Sequence, residues 1–71
     1  MLNANKLKAK MTENKMNAYE LSKKIGIDKS TFYRKLGGYT EFTIKEASII
    51  SQELKLNNEE MAAIFFEQNI A

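Results

Sequence analysis

The chain of 71 residues is 44% hydrophobic, carries a formal net charge of +2 and contains neither cysteine nor histidine. Those absences exclude a disulfide framework, the usual zinc sites and nucleophilic catalysis by Cys or by a Ser/His pair. A chain this short withdraws only about 60% of its unfolded surface from water, which predicts one small domain over residues 1–71 with an economical core.

The first helix is expected to begin after Asn3 or Asn5 and to run to about Asn14, with Ala4, Leu7 and Met11 on one side and Lys6, Lys8 and Lys10 in solvent. Thr12-Glu13-Asn14-Lys15 then breaks the pattern without proline or glycine. A second helix starts at the cap residue Asn17, turns Ala18, Leu21 and Ile25 inward and stops at Gly26, read as a left-handed residue with Ile27 folding back in a Schellman motif.

Between Gly26 and the pair Gly37-Gly38 lies a short third helix. Asp28 stands at its N-cap, and Phe32 and Leu36 make its inward face. Lys29, Ser30, Tyr33 and Arg34 fall at i, i+1, i+4 and i+5, an outward stripe of two cations, a hydroxyl and a phenol that suits a nucleic-acid groove. The Tyr33 ring has two readings, contact with the nucleic-acid backbone or cover for the core edge. Lys29 sits against the positive end of the helix dipole, a penalty that an arriving phosphate would remove.

Three helix starts share the order apolar, cap, two residues, acid, apolar: Met16-Asn17…Glu20-Leu21, Phe42-Thr43…Glu46-Ala47 and Leu56-Asn57…Glu60-Met61. Each is a capping box with a hydrophobic staple. At Ile27-Asp28…Thr31-Phe32 the cap and staple are kept and the acid is replaced by Thr31, where a glutamate would repel phosphate.

The fourth helix, Thr43 to about Leu54, carries Ile44, Ala47, Ile50 and Leu54 at helical spacing, with Ile49 broadening the stripe, and is expected to lie under the third. The fifth, capped by Asn57, reaches about Glu67; Met61, Ile64 and Phe65 face the core, and Ala62 and Phe66 face another way. The apolar run Met61–Phe66 is far shorter than the about 20 residues a bilayer requires, and Met1-Leu2-Asn3-Ala4 lacks a signal-peptide core, which argues against a membrane and for the cytoplasm.

Charge is polarised along the chain. Residues 1–35 hold eight lysines and Arg34 against Glu13, Glu20 and Asp28, a balance of +6, whereas residues 36–71 hold Lys45 and Lys55 against six glutamates, a balance of −4. The first half is therefore expected to present a basic face to a polyanion.

Helix, glycine turn and helix over Ala18–Leu36 form a helix-turn-helix pattern. Glu20-Leu21-Ser22, the turn Ile25-Gly26-Ile27, Ser30-Thr31-Phe32 and the apolar fourth helix resemble the lambda-repressor and Cro family, especially small regulators of phages and prophages of low-GC Gram-positive bacteria. The resemblance implies a compact, all-α, five-helix, lambda-repressor-like fold. It also implies sequence-specific binding of double-stranded DNA by a transcriptional regulator, a repressor acting by operator occupancy. It assigns base reading to Lys29, Ser30 and Arg34, with Tyr33 alongside, and backbone contacts to Asn17, Ala18, Gly38, Tyr39 and Thr40; Thr31 joins the backbone set as the phosphate-compatible substitute for the missing acid. Lys35 and Gly37 depart from the family pattern, which often has an aliphatic residue and an asparagine there.

A palindromic operator would need paired subunits, and Phe66 and Ile70 of the last helix and tail are the candidate contacts of a weak homodimer. Neither a cofactor, a metal nor a small-molecule substrate is expected, and the carboxylates lack the partners an enzyme would need. The competing reading is a helical protein-binding adaptor, such as an anti-repressor or an antitoxin-like partner, using the same stripe on an acidic protein.

Overall fold

The computed structural model describes residues 2–66, which form five helices: α1 (Ala4–Glu13), α2 (Ala18–Ile25), α3 (Lys29–Leu36), α4 (Ile44–Glu53) and α5 (Asn58–Phe65). Among the described residues there is no strand, and the arrangement is the expected all-α, five-helix, lambda-repressor-like one. Glu67 and Ile70 lie outside the described residues, and so does the expectation that each carried.

Helix starts follow the sequence pattern closely. Asn17, Thr43 and Asn57 each accept the N–H of the glutamate three residues on, and each donates its own N–H to that glutamate's carboxylate, at 2.8–3.0 Å throughout. Asn3 caps α1 through the Lys6 N–H alone. The apolar residues before these caps, Met16, Phe42 and Leu56, and Ile27 before α3, are half-buried against the core.

Helix ends are less visible in the sequence. Gly26, at φ +80°, closes α2 by the two Schellman bonds: the Ile27 N–H donates to the Ser22 carbonyl at 3.0 Å and the Gly26 N–H to the Lys23 carbonyl at 3.3 Å. Gly38, at φ +86°, closes α3 through Tyr39 to Arg34 and Gly38 to Lys35. The same bonds end α1 and α4, but with Lys15 (φ 53°) and Lys55 (φ 56°) in the left-handed position. This is how the chain turns after Thr12 without glycine, at the expense of side-chain strain. Asn14 adds a tie between the ends of α1 and α4, its Nδ2 donating to the carbonyls of Lys10 and Leu54.

The core is Leu7 and Met11 of α1, Ala18 and Leu21 of α2, Phe32 and Leu36 of α3, Ala47 and Ile50 of α4, Leu54, and Ile64 and Phe65 of α5. Phe42, in the loop before α4, stands edge-on to Phe32 at 5.6 Å and to Phe65 at 5.8 Å, joining α3 to α5.

Three expectations are corrected here. Helix α4 packs chiefly on α2 rather than beneath α3. Ile44, read as inward, is 76% exposed, because the first residue of α4 projects into an open groove of about 540 Å³ beside Leu2, Phe42, Phe65 and Phe66. Lys10, read as solvent-facing, is half-buried and bridges Glu60 at 2.5 Å and Glu13 at 3.5 Å, joining α1 to α5. The Glu60 hydrogen bond raises the Lys10 ammonium above its usual pKa, and Lys10 in turn lowers the Glu60 carboxyl below the usual carboxylate range.

Candidate nucleic-acid interface

Helix α3 is held by Phe32 and Leu36, both buried, so the opposite side of the helix turns outward. Lys29, Ser30, Tyr33 and Arg34 are all exposed, and no ion pair among the described residues claims Lys29 or Arg34. Eight residues make a rod of about 12 Å, comparable to the width of a B-DNA major groove. Tyr33 serves both readings geometrically: its ring meets Phe32 edge-on at 6.3 Å while remaining 54% exposed.

The start of α3 differs from the boxed helices in a second way. Asp28 occupies the N-cap in extended conformation, yet its side chain makes no capping bond, contrary to the role expected of it. The first internal bond runs from the Phe32 N–H to the Asp28 carbonyl. The N–H groups of Lys29, Ser30 and Thr31 therefore have no partner among the described residues and point outward from the positive end of the helix. Thr31 is half-buried on the flank of this end.

At the start of α2, Asn17 is exposed, with its Oδ1 and its N–H both engaged by Glu20. Ala18 is a buried core residue, so its side chain is withdrawn from any ligand and only its backbone N–H remains at the helix end. After α3, Gly38, Tyr39 and Thr40 are exposed, and the Tyr39 ring lies alongside Gly37, where an added Cβ would sit 3.4 Å from it.

A shallow groove of about 470 Å³ runs between the end of α1, the start of α2 and α3, lined by Lys8, Thr12, Lys15, Asn17 and Tyr33 over Met11, Met16, Ala18 and Leu36. Lys8, Thr12 and Lys15 are exposed and stand on the same side of the molecule as Tyr33 and Asn17. The sequence counts Lys8 and Lys15 only toward the general basic face and gives Thr12 no part in it, although their spacing marks one polar stripe of α1 and the residue that ends it. Lys35, by contrast, does not join the basic face, since Glu46 holds its ammonium.

A tight glycine turn between two helices, the second anchored by two apolar residues and presenting a cationic stripe with open N–H groups, defines a helix-turn-helix nucleic-acid-binding module. No curated protein and no solved structure significantly matches the chain. Residues 6–65 do match the model of the Cro/C1-type HTH DNA-binding domain, and the chain belongs to that family. The match spans all of α2 to α5 and most of α1.

Proposed function

We propose that the protein is a transcriptional regulator, a cytoplasmic repressor of phage or prophage type from a Gram-positive host, acting by occupying its operator. The observation that carries the reading is the exposed stripe of α3 together with the uncapped N–H groups at its start. In this reading Lys29, Ser30 and Arg34 meet base edges in the major groove, an arginine or lysine on guanine being the favoured pairing, and Tyr33 lies against the adjoining sugar-phosphate. Asn17, the Ala18 backbone N–H, Thr31 and the loop Gly38, Tyr39 and Thr40 hold phosphates. Lys8 and Lys15 extend that set along the α1 groove.

A single helix-turn-helix covers few base pairs, so the operator is palindromic with half-sites about 34 Å apart. The pairing surface is the open groove lined by the exposed Ile44 and Phe66 and by Gly38 and Thr40 of the loop that approaches DNA; Ile70 is the other candidate contact, by sequence alone. Selection of bound sequences from a random duplex pool tests the function. The expected result is an inverted repeat bound with an affinity that falls steeply with salt, by a slope of about 0.9 per phosphate contact. Absence of enrichment, together with no salt-dependent binding to random duplex DNA, would favour an adaptor instead.

A further inference from the structure

The junction of α3 and α4 holds an ion pair that none of the proposed DNA contacts uses. Lys35 follows Arg34 directly, yet its side chain turns inward: Nζ lies 2.5 Å from Glu46 Oε1, and both side chains are only 13% exposed. The same oxygen accepts the Thr43 N–H at 2.9 Å, so one carboxylate closes the α4 capping box and holds α3. Nζ also lies 5.9 Å from the centre of the Phe42 ring, which itself bridges Phe32 and Phe65. The Lys35 carbonyl accepts the Gly38 N–H that opens the loop.

Such a pair is weak support for stability, because a half-buried ion pair is often replaced by apolar side chains of similar volume without loss. Its distinctive property is direction. Phe32 and Leu36 lie 40° apart around the helix axis at 100° per residue, a narrow hinge about which α3 can roll. Lys35 lies 60° beyond Phe32 on the side away from Leu36, where a fixed bond opposes that roll. A roll of about 15° displaces a side-chain tip about 6 Å from the axis by roughly 1.5 Å, beyond the about 0.5 Å that a directed contact tolerates.

We infer that Lys35 and Glu46 are positioning residues for base recognition, locking the roll of α3 so that Lys29, Ser30 and Arg34 meet the base edges in one register. The inference rests on the proposed base-reading role of that stripe. Burial works against ionisation of the Glu46 carboxyl, but the Lys35 hydrogen bond, the Thr43 N–H and the Lys35 charge outweigh it, and the carboxyl lies below the usual range, ionised at neutral pH.

The test is the double variant Lys35→Met/Glu46→Gln, in which glutamine still accepts the Thr43 N–H. Thermal unfolding is measured beside affinity for two duplexes, one selected by the wild-type chain from a random pool and one unrelated duplex of equal length. The expected variant melts close to wild type and binds the unrelated duplex with unchanged affinity and salt slope, while its preference for the selected duplex falls about 5-fold or more. An equally selective variant overturns the inference. So does a variant that fails to fold, since the pair would then be a stability element. A wild-type chain that enriches no sequence removes the base-reading proposal and this one with it, whereas an enriching wild type with an equally selective variant removes only this one.

Discussion

Replacing Lys29 by alanine separates folding from recognition, because the two respond in opposite directions. Lys29 is the first residue of α3, exposed, without an ion-pair partner among the described residues, and next to three N–H groups that no side chain caps. A cation there opposes the helix dipole by about 0.3–1 kcal/mol, and its removal leaves no cavity, so Lys29→Ala is expected to stabilise the fold by that amount. For a domain of this length 1 kcal/mol corresponds to about 4–8 °C, which places the rise in Tm at about 1–8 °C. Loss of one base contact weakens binding by about 1–3 kcal/mol, or about 5- to 150-fold. Differential scanning calorimetry and fluorescence anisotropy on the selected duplex, at matched salt, give both numbers. A lower Tm would show that Lys29 makes a stabilising contact, and wild-type affinity would remove it from the interface.

Thr31→Glu supplies the acid missing from α3; the expected result is a fold at least as stable as wild type with weaker affinity for any duplex, measured by melting and by titration of unrelated DNA. Lys15→Gly and Lys55→Gly relieve left-handed strain and are each expected to add up to about 1 kcal/mol of stability in urea titrations. Of these, Lys15→Gly alone should also lower the salt slope of DNA binding by about 1, because Lys15 lines the α1 groove. Glu46 and Glu60 have folded pKa values depressed below 4.5, so the unfolded chain binds more protons in acid. Their stabilisation is present above about pH 4.5 and is lost as pH falls through the folded values, and Glu46→Gln should flatten that limb of the stability curve. Phe66→Ala should lower cooperative binding to the two-half-site operator and spare binding to one half-site; equal losses on both would place Phe66 in the monomer's own packing.

The legibility of this chain divides between local and distant interactions. A capping box is complete within four residues, so three helix starts and their hydrogen bonds could be read directly from Asn or Thr and the following glutamate. Gly26 was equally plain because φ +80° favours glycine, whereas Lys15 and Lys55 take φ values of 53° and 56° with no compositional sign of it. Pairing across elements left no trace: Lys10 finds Glu60 fifty positions away, and Lys35 finds Glu46 eleven away, so both cations were counted toward the basic face. Ile44 shows the limit of periodicity in another form. Helical spacing identifies a face of α4 but not how far along it neighbouring elements give cover, and Ile44, the first residue of the helix, lines an open groove. In the candidate interface, the outward stripe of α3 was readable as spacing. The failure of Asp28 to cap was not, since by residue type it is as good an N-cap as Asn17 or Asn57.

The two ends of α3 carry opposite physical assignments. Its carboxyl end is closed three times over, by the Schellman bonds at Gly38, by Leu36 in the core and by Lys35 on Glu46. Its amino end forgoes the capping bond that Asn17, Thr43 and Asn57 supply elsewhere, an omission of about 1 kcal/mol at a typical helix start. A helix that reads DNA presents its first turn to base edges, where groups already bonded internally have nothing left to offer. The closed end offsets the open one, so α3 stays helical and oriented while the N–H groups of its first turn stay free of protein partners and accessible to a ligand. Changes at the two ends should therefore fail differently. Filling the first turn strengthens the fold and weakens binding to every sequence, whereas loosening the last turn leaves total affinity in place and blurs the choice among sequences.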